Sequence, residues 1–162
     1  MADIHNDLAE IINCVYHPSE FICSPPIKES ESADYGACVY KVNGFCVKFR
    51  VAKITPTKTG QFVTLWKRID KGPTQPHDAS DTVDFFVIST RYDQNFGHFI
   101  FPKSVLVEKD ILSTNGKGGK RGIRVYPPWN ETTSNQAEKT QQWQLKYFLE
   151  IPARGTLDHE RA

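Results

Sequence analysis

Residues 39–54, VYKVNGFCVKFRVAKI, are the stretch that decides the fold. Apolar and polar side chains alternate on both sides of Asn43 and Gly44, a pair that strongly favours a two-residue hairpin turn. The sequence therefore predicts a β-hairpin whose strands are 39–42 and 45–54. Residues 55–60, TPTKTG, then predict a turn, and residues 61–68 resume the alternation as a further strand.

Helices and more strands are predicted on both sides of this hairpin. An apolar stripe between Ile4 and Val15 predicts an N-terminal helix, with Asp3 as its N-cap and Pro18 after its end. Residues 24–34 are rich in Ser, Pro and acids and predict an exposed loop. The remaining predictions are strands at 83–89, 98–101 and 122–126, a short helix at 102–110 and a final helix at 135–151.

This order of elements predicts one α+β domain built on a mixed, mostly antiparallel curled sheet or a partly open barrel. A length of 162 residues is enough for one such domain to close its own core. Within the single domain 1–162 we expect an acidic helix and loop at 1–35, a core of sheet and helices at 36–150, and a frayed tail at 152–162.

Composition and residue spacing bear on the cellular location of the protein and on whether it holds a metal or cofactor. No apolar run approaches the roughly 20 residues of a membrane span, and the N-terminus lacks the layout of a signal peptide, so we expect a cytoplasmic protein that does not bind membranes. Cysteines and histidines show no CxxC, HxH or HxxxH spacing. We therefore expect reduced thiols, no metal site and no cofactor.

The charge is strongly polarised along the chain, although the formal net charge is only +1. Residues 41–69 and 111–130 contain no Asp or Glu, whereas the first 34 residues carry seven acids against Lys28 alone. Such polarity indicates a polyanionic partner. One polyanion can contact both acid-free runs only if they lie side by side in the fold, which we therefore expect.

Two groups of cations within these runs are candidates for phosphate contact. Strand periodicity places Lys48 and Arg50 on one face, and cations near residue 67 would extend a basic sheet face. The second group lies in NGKGGKRG, residues 115–122, where Arg121 replaces the Ser or Thr that a Walker A loop requires. The predicted phosphate-binding residues are Arg50, Lys53, Lys58, Lys67, Arg68, Lys117, Lys120, Arg121 and Arg124. A solvated sheet face and a flexible basic loop remain the alternatives.

Base contact is a weaker prediction for Trp66, Gln141 and Gln144, because amides can pair with adenine and indoles can stack. Trp143 is interpreted as a core anchor of the final helix. The acids Asp78, Asp81 and Asp84 precede the strand at 83–89. Metal-dependent nucleases need a Lys two positions after such a strand acid, but a phenylalanine stands there. Capping and solvation are therefore the preferred roles of these acids.

The same blocks resemble the MepB family of small bacterial proteins. The resemblance is carried by FRVAKITPTKTGQFVTLWKR (49–68), DFF (84–86), GHFIFPK (97–103), GKRGIRVYPPW (119–129) and AEKTQQWQ (137–144), and it spans residues 45–148. It implies a DNA-binding pseudobarrel flanked by terminal helices, with DNA binding and no established catalysis.

The residues and the resemblance together predict non-catalytic DNA binding through a basic sheet face and a Gly/Lys/Arg loop. Strand preference and oligomeric state stay open. The first alternative is an enzyme, either a divalent-metal nuclease using Asp81 and Asp84 or another phosphate-handling activity at the glycine loop. The second alternative is a protein-interaction module.

Overall fold

The computed structural model describes residues 4–30, 32–68 and 73–151, with the backbone alone of Arg68. The predicted cap Asp3 and the tail 152–162, predicted to fray, lie outside the described residues. The architecture is α+β, with a mixed, mostly antiparallel main sheet and helices near both ends, as predicted. No helix in the described ranges is both long and apolar enough to cross a membrane.

The strands are β1 (Ile27–Lys28), β2 (Cys38–Val42), β3 (Phe45–Val51), β4 (Lys53–Ile54), β5 (Gln61–Thr64), β6 (Trp66–Arg68), β7 (Thr74–Pro76), β8 (Phe85–Tyr92), β9 (Asn95–Pro102), β10 (Gly122–Val125) and β11 (Phe148–Glu150). The helices are α1 (Asn6–Ile11), which continues as a π-helical turn over Ile12–Tyr16, α2 (Lys103–Glu108) and α3 (Asn135–Gln144). One-turn 3-10 helices cover Ala33–Tyr35 and Leu145–Tyr147.

The main sheet has the strand order β1-β2-β3-β8-β9-β11. All its neighbouring strands are antiparallel except β3 and β8, which run parallel. The hairpin turn at its centre is confirmed: Asn43 and Gly44 have φ values of 50° and 86°, the positive values that a type I′ turn requires. The predicted second strand, 45–54, is wrong beyond Val51, because Lys53 and Ile54 form β4 of a different sheet. Asn and Gly tolerate this conformation best, which fixes the register of β2 against β3.

A smaller sheet, ordered β10-β5-β4, brings the two acid-free runs together. β5 and β10 are antiparallel, with Phe62 opposite Arg124, so the expected proximity of the runs is confirmed at these strands. The predicted single strand over 61–68 is interrupted at Leu65, whose amide donates to Arg121 O at 2.7 Å. Beyond this break, β6 leaves the small sheet and pairs with β7 instead.

Two apolar clusters pack against opposite faces of the main sheet. One contains Phe86 and Phe99 together with residues of β5, β10 and α2. The other contains Val47 and Phe49 together with α1 and the turn that follows it. Leu8 and Ile11 of the predicted stripe are fully buried in this cluster. The alternation of the strands thus supplies both clusters from one sheet.

The predicted final helix is wrong beyond residue 144. α3 ends there, and β11 instead pairs antiparallel with β9, with Phe148 opposite Phe99. The close approach depends on Gly97, because a Cβ at this position would collide with the ring of Phe148 and lie 2.7 Å from Leu149 O. A local helical pattern gives way here to burial of Phe148 and Leu149 against the sheet.

Two buried histidines make stability depend on pH. His98 on β9 is fully buried, and desolvation lowers its pKa to about 3. His77 is nearly as buried; desolvation, followed by the charges of Lys48 and Arg50, lowers its pKa to about 4. Both imidazoles are therefore neutral in the folded protein at pH values where an unfolded histidine, with a pKa of about 6.5, binds a proton.

We expect the free energy of unfolding to fall as the pH is lowered from 7.5 to 5. The unfolded state binds more protons in this range, so each histidine contributes a slope of up to about 1.4 kcal/mol per pH unit below about pH 6.5. Urea titrations at several pH values would measure it. His98→Leu should remove about half of the slope; an unchanged slope in that variant would show that His98 is not the origin.

Candidate nucleic-acid interface

A cleft of about 480 Å³ lies between the outer face of the small sheet, the end of α2 and α3. Its lining residues combine cations, aromatic rings and small polar groups, and none of them is acidic. We call it the cationic cleft; it is lined by Lys58, Phe62, Lys109, Ile111, Lys120, Gly122, Ile123, Arg124, Tyr126, Ser134, Gln136, Ala137, Thr140, Trp143 and Gln144. Concave sites of this size hold small ligands or single groups of larger ones.

Strand pairing explains why cations and rings share the outer face of the small sheet. Lys53, Phe62 and Arg124 are direct neighbours across β4, β5 and β10, so they project from one face of the small sheet. The alternate residues Val63 and Ile123 belong to the buried core cluster. The guanidinium carbon of Arg124 lies 5.8 Å from the Phe62 ring centroid, within the range of a cation–π contact.

The glycine-rich loop after α2 is held by two carboxylates. Asp78 accepts hydrogen bonds from Ser113 Oγ at 2.6 Å and from Gly116 N at 3.1 Å, and Asp110 accepts one from Gly119 N at 3.2 Å. Hydrogen bonds from Ser113 and then Ser80 keep the pKa of Asp78 well below its usual range. These contacts position the loop so that Lys120 lines the cleft. Lys117 precedes Lys120 in the same loop and is exposed to solvent.

The prediction that Arg50 contacts phosphate is wrong. Its side chain is 1% exposed, and its Nη1 donates to Glu29 Oε1 at 2.8 Å and to Phe49 O at 2.9 Å. Glu29 also binds Lys48 Nζ at 2.7 Å. Burial would raise the pKa of Glu29, but the charges of Arg50 and Lys48 outweigh it and lower that pKa. The predicted basic face on β3 is therefore an internal ion-pair cluster.

The two glutamines predicted to contact bases instead hold the cleft together. Gln144 is buried; its Oε1 accepts from Tyr126 N at 2.9 Å and its Nε2 donates to Arg124 O at 3.0 Å. Gln141 Nε2 donates to Pro127 O and Asn130 O, both at 3.0 Å. These amides connect α3 to the segment at the end of β10. Both amide atoms of the buried Gln144 are engaged, so the prediction of bidentate base contact is wrong for Gln144. Gln141 is half-buried, and base contact stays a prediction for it.

Other predicted residues lie outside the cleft. Lys67 Nζ binds both carboxylate oxygens of Asp81, at 2.6 and 2.8 Å. Arg121 Nε donates to Thr74 O at 3.1 Å, and Lys53 Nζ lies 4.6 Å from the Tyr35 ring centroid. Trp66 is half-buried on β6, and the side chain of Arg68 lies outside the described residues.

The acids of the nuclease alternative have contacts within the protein. Asp81 is bound by Lys67, and its Oδ2 lies 3.4 Å from His77 Nδ1. Burial would raise the pKa of Asp81, but the hydrogen bond from Lys67 helps to lower it. Asp84 Oδ2 accepts from Cys46 N at 2.7 Å, which joins the start of β8 to β3. Within the described ranges, no group of three or more His, Cys, Asp or Glu residues could hold a metal ion.

The cleft thus brings together Lys58, Lys120 and Arg124 of the predicted set. Sequence reasoning missed Lys109, because it lies between Glu108 and Asp110 and outside both acid-free runs. Its Nζ lies 5.4 Å from the centroid of Trp143. Trp143 also packs on Phe101 at 5.5 Å between centroids, which confirms its predicted anchoring role. Lys109 directly follows α2, and only the folded structure shows that this position lies at the cleft.

Gln144→Leu is expected to lower the free energy of unfolding by about 2–5 kcal/mol, because it leaves the Tyr126 amide and the Arg124 carbonyl without partners. Urea denaturation would measure the change. Gln142→Leu is the matched control, since Gln142 is exposed on the same helix. Equal effects of the two substitutions would contradict the assigned structural role of Gln144.

The fold and the site define a small α+β protein with a cationic, aromatic-walled cleft. Residues 29–150 match the MepB-like family model, and the chain belongs to this family. It is similar to a solved structure described as the crystal structure of MepB, with 36% identity over 82% of this chain and 89% of that chain and a TM-score of 0.77. This finding confirms the resemblance seen in the sequence.

A second solved structure, a bacterial homing endonuclease named I-Ssp6803I, matches with 15% identity over 87% of each chain and a TM-score of 0.49. Among curated proteins, none matches the chain.

Proposed function

We propose that this protein binds DNA without catalysis, holding the phosphate backbone at the cationic cleft. The observation that carries the proposal is the convergence of four cations from separate parts of the chain on one acid-free cleft. Lys58 comes from the turn between β4 and β5, Lys109 follows α2, Lys120 lies in the glycine-rich loop and Arg124 is on β10. Neutralisation of phosphates by such cations releases condensed counterions and drives binding.

Several cations elsewhere in the chain form ion pairs with carboxylates, which distinguishes them from the four cations of the cleft. Arg50 and Lys67 are bound by carboxylates, and Arg91 contacts Asp7 and Glu10 at 3.1 and 3.2 Å. Among the described residues, no carboxylate lies within ion-pair distance of the four cleft cations. Concentrated like charge costs free energy in the unbound protein, and a polyanion relieves that cost.

The wider surface supports the same partner. Lys53 adjoins Phe62 in the small sheet, and Lys117 and Arg121 belong to the loop that carries Lys120. We propose that these residues extend the phosphate contacts beyond the cleft. We also propose that the sheets together form the DNA-binding pseudobarrel expected from the family resemblance. We further propose that the protein acts in the cytoplasm.

The proposed lack of catalysis is supported by the contacts of the two acids that a nuclease would need. Asp81 is engaged by Lys67 and Asp84 by the Cys46 amide, so both carboxylates already have structural partners. A nuclease requires such carboxylates to hold a metal ion that activates water.

We expect binding to a short labelled duplex to weaken steeply with salt. If about five phosphates are neutralised, log K should fall against log[salt] with a slope near −4.5, and near −3.5 for single-stranded DNA. Fluorescence anisotropy at several salt concentrations would measure both slopes and reveal the strand preference. A flat response, or no binding to either strand form at low salt, would contradict the proposal and favour a protein partner.

A further inference from the structure

We propose that the cationic cleft receives one unpaired nucleotide of the bound strand, with its base against the aromatic walls and its phosphate among the cations. This inference rests on the proposed DNA binding and deepens it. Contact with a continuous phosphate backbone is electrostatic and does not depend on sequence. A flat basic surface would be enough for such contact. The protein has instead a concave site of about 480 Å³. That volume lies in the range of sites that enclose a small ligand.

Two aromatic rings of the cleft each have a cation near the ring centroid. Lys109 Nζ lies 5.4 Å from the Trp143 centroid, and the Arg124 guanidinium carbon lies 5.8 Å from the Phe62 centroid. All four residues line the cleft, so the ring faces are covered by long cationic side chains of the cleft itself. A base can replace a cation over a ring by stacking, and the displaced cation can then contact the phosphate.

Two polar side chains of the cleft, those of Gln144 and Thr140, are already engaged within the protein. Both functional atoms of Gln144 are used by backbone groups of Tyr126 and Arg124. Thr140 Oγ1 donates to Gln136 O at 2.9 Å. Stacking tolerates every base because each has a π-face, whereas discrimination needs hydrogen bonds to the base edge. We therefore expect recognition of an unpaired nucleotide with weak dependence on its identity.

The test compares a fully paired labelled duplex with the same duplex carrying one extra, unpaired adenosine. An unpaired nucleotide leaves the helix at little cost, and stacking of one base on an aromatic side chain should make binding about 5- to 150-fold tighter. Replacing the adenosine with cytidine should change the affinity by less than about 3-fold, because stacking tolerates every base.

The outcomes separate this inference from the proposed function. Salt-dependent binding with equal affinity for the paired and the bulged duplex would overturn the inference and leave DNA binding intact. No binding to either duplex would overturn both. Tighter binding to the bulged duplex supports both.

Substitutions then locate the effect in the cleft. Trp143→Leu keeps an apolar contact with Phe101 but removes the stacking surface, so the affinity ratio between bulged and paired duplex should fall to about one. Trp143→Phe should restore most of it. Phe62→Leu is the second variant if Trp143→Leu does not fold. Tyr92→Leu is the control, because Tyr92 is an exposed aromatic outside the cleft. A ratio that survives both leucine variants in the cleft would overturn the inference.

Discussion

Glu29→Ala is expected to lower the free energy of unfolding by about 3–5 kcal/mol, because it leaves a buried charge without its partner. Arg50 is 1% exposed and depends on Glu29 as its carboxylate partner at 2.8 Å. The substitution also removes the partner of Lys48 Nζ at 2.7 Å. Urea or thermal unfolding would measure the loss.

A double variant tests whether the uncompensated charge is the cause. Arg50→Met combined with Glu29→Gln removes the charge of both partners, so it should be more stable than Glu29→Ala alone by at least about 1–2 kcal/mol. Glu131→Ala is the control: Glu131 is exposed, and its loss should change stability by less than about 0.5 kcal/mol. If Glu29→Ala is no more destabilising than Glu131→Ala, the ion pair does not stabilise the fold.

This ion pair shows why charge runs predicted only part of the site. Residues 41–69 contain no acid, and their cations were therefore interpreted as available to a polyanion. Chain folding supplies acids from elsewhere: Glu29 reaches Arg50 from the segment before β2, and Asp81 reaches Lys67 from the loop before β8. Such contacts depend on tertiary pairing, which the local sequence does not encode. Among these cations, pairing with an acid from another segment, and not local composition, decides the role.

Local chemistry predicted the hairpin well, because Asn43 and Gly44 adopt the positive φ values of a type I′ turn more readily than other residues do. It failed at residues 145–151, where a continued helix was equally compatible with the spacing of Leu145 and Phe148. The side chain of Phe148 is buried against Phe99, at 4.9 Å between centroids, and this contact selects a strand. Periodicity therefore predicted most of the longer elements, and missed the short strands β1, β7 and β11, which are fixed by pairing with another strand.

Changing Lys58 and Lys120 together to alanine is expected to weaken duplex binding about 60-fold at 0.1 M salt. Each lost phosphate contact removes a factor of about 8 at this salt concentration, because log K depends on log[salt] with about −0.9 per contact. The slope should therefore become less steep by about 1.8. Both side chains are exposed at the cleft and belong to separate segments. Anisotropy titrations at matched salt would measure the affinity and the slope.

Lys28→Ala with Lys41→Ala is the matched control, since both residues are exposed on β1 and β2 and neither lines the cleft. This pair removes the same net charge, so it separates contact at the cleft from general attraction between a cationic protein and DNA. The control should retain most of the slope, and adding Arg124→Ala to the cleft pair should extend its loss to about 500-fold. Equal losses of affinity in the two double variants would show that binding depends only on net charge. This result would contradict phosphate contact at the cleft.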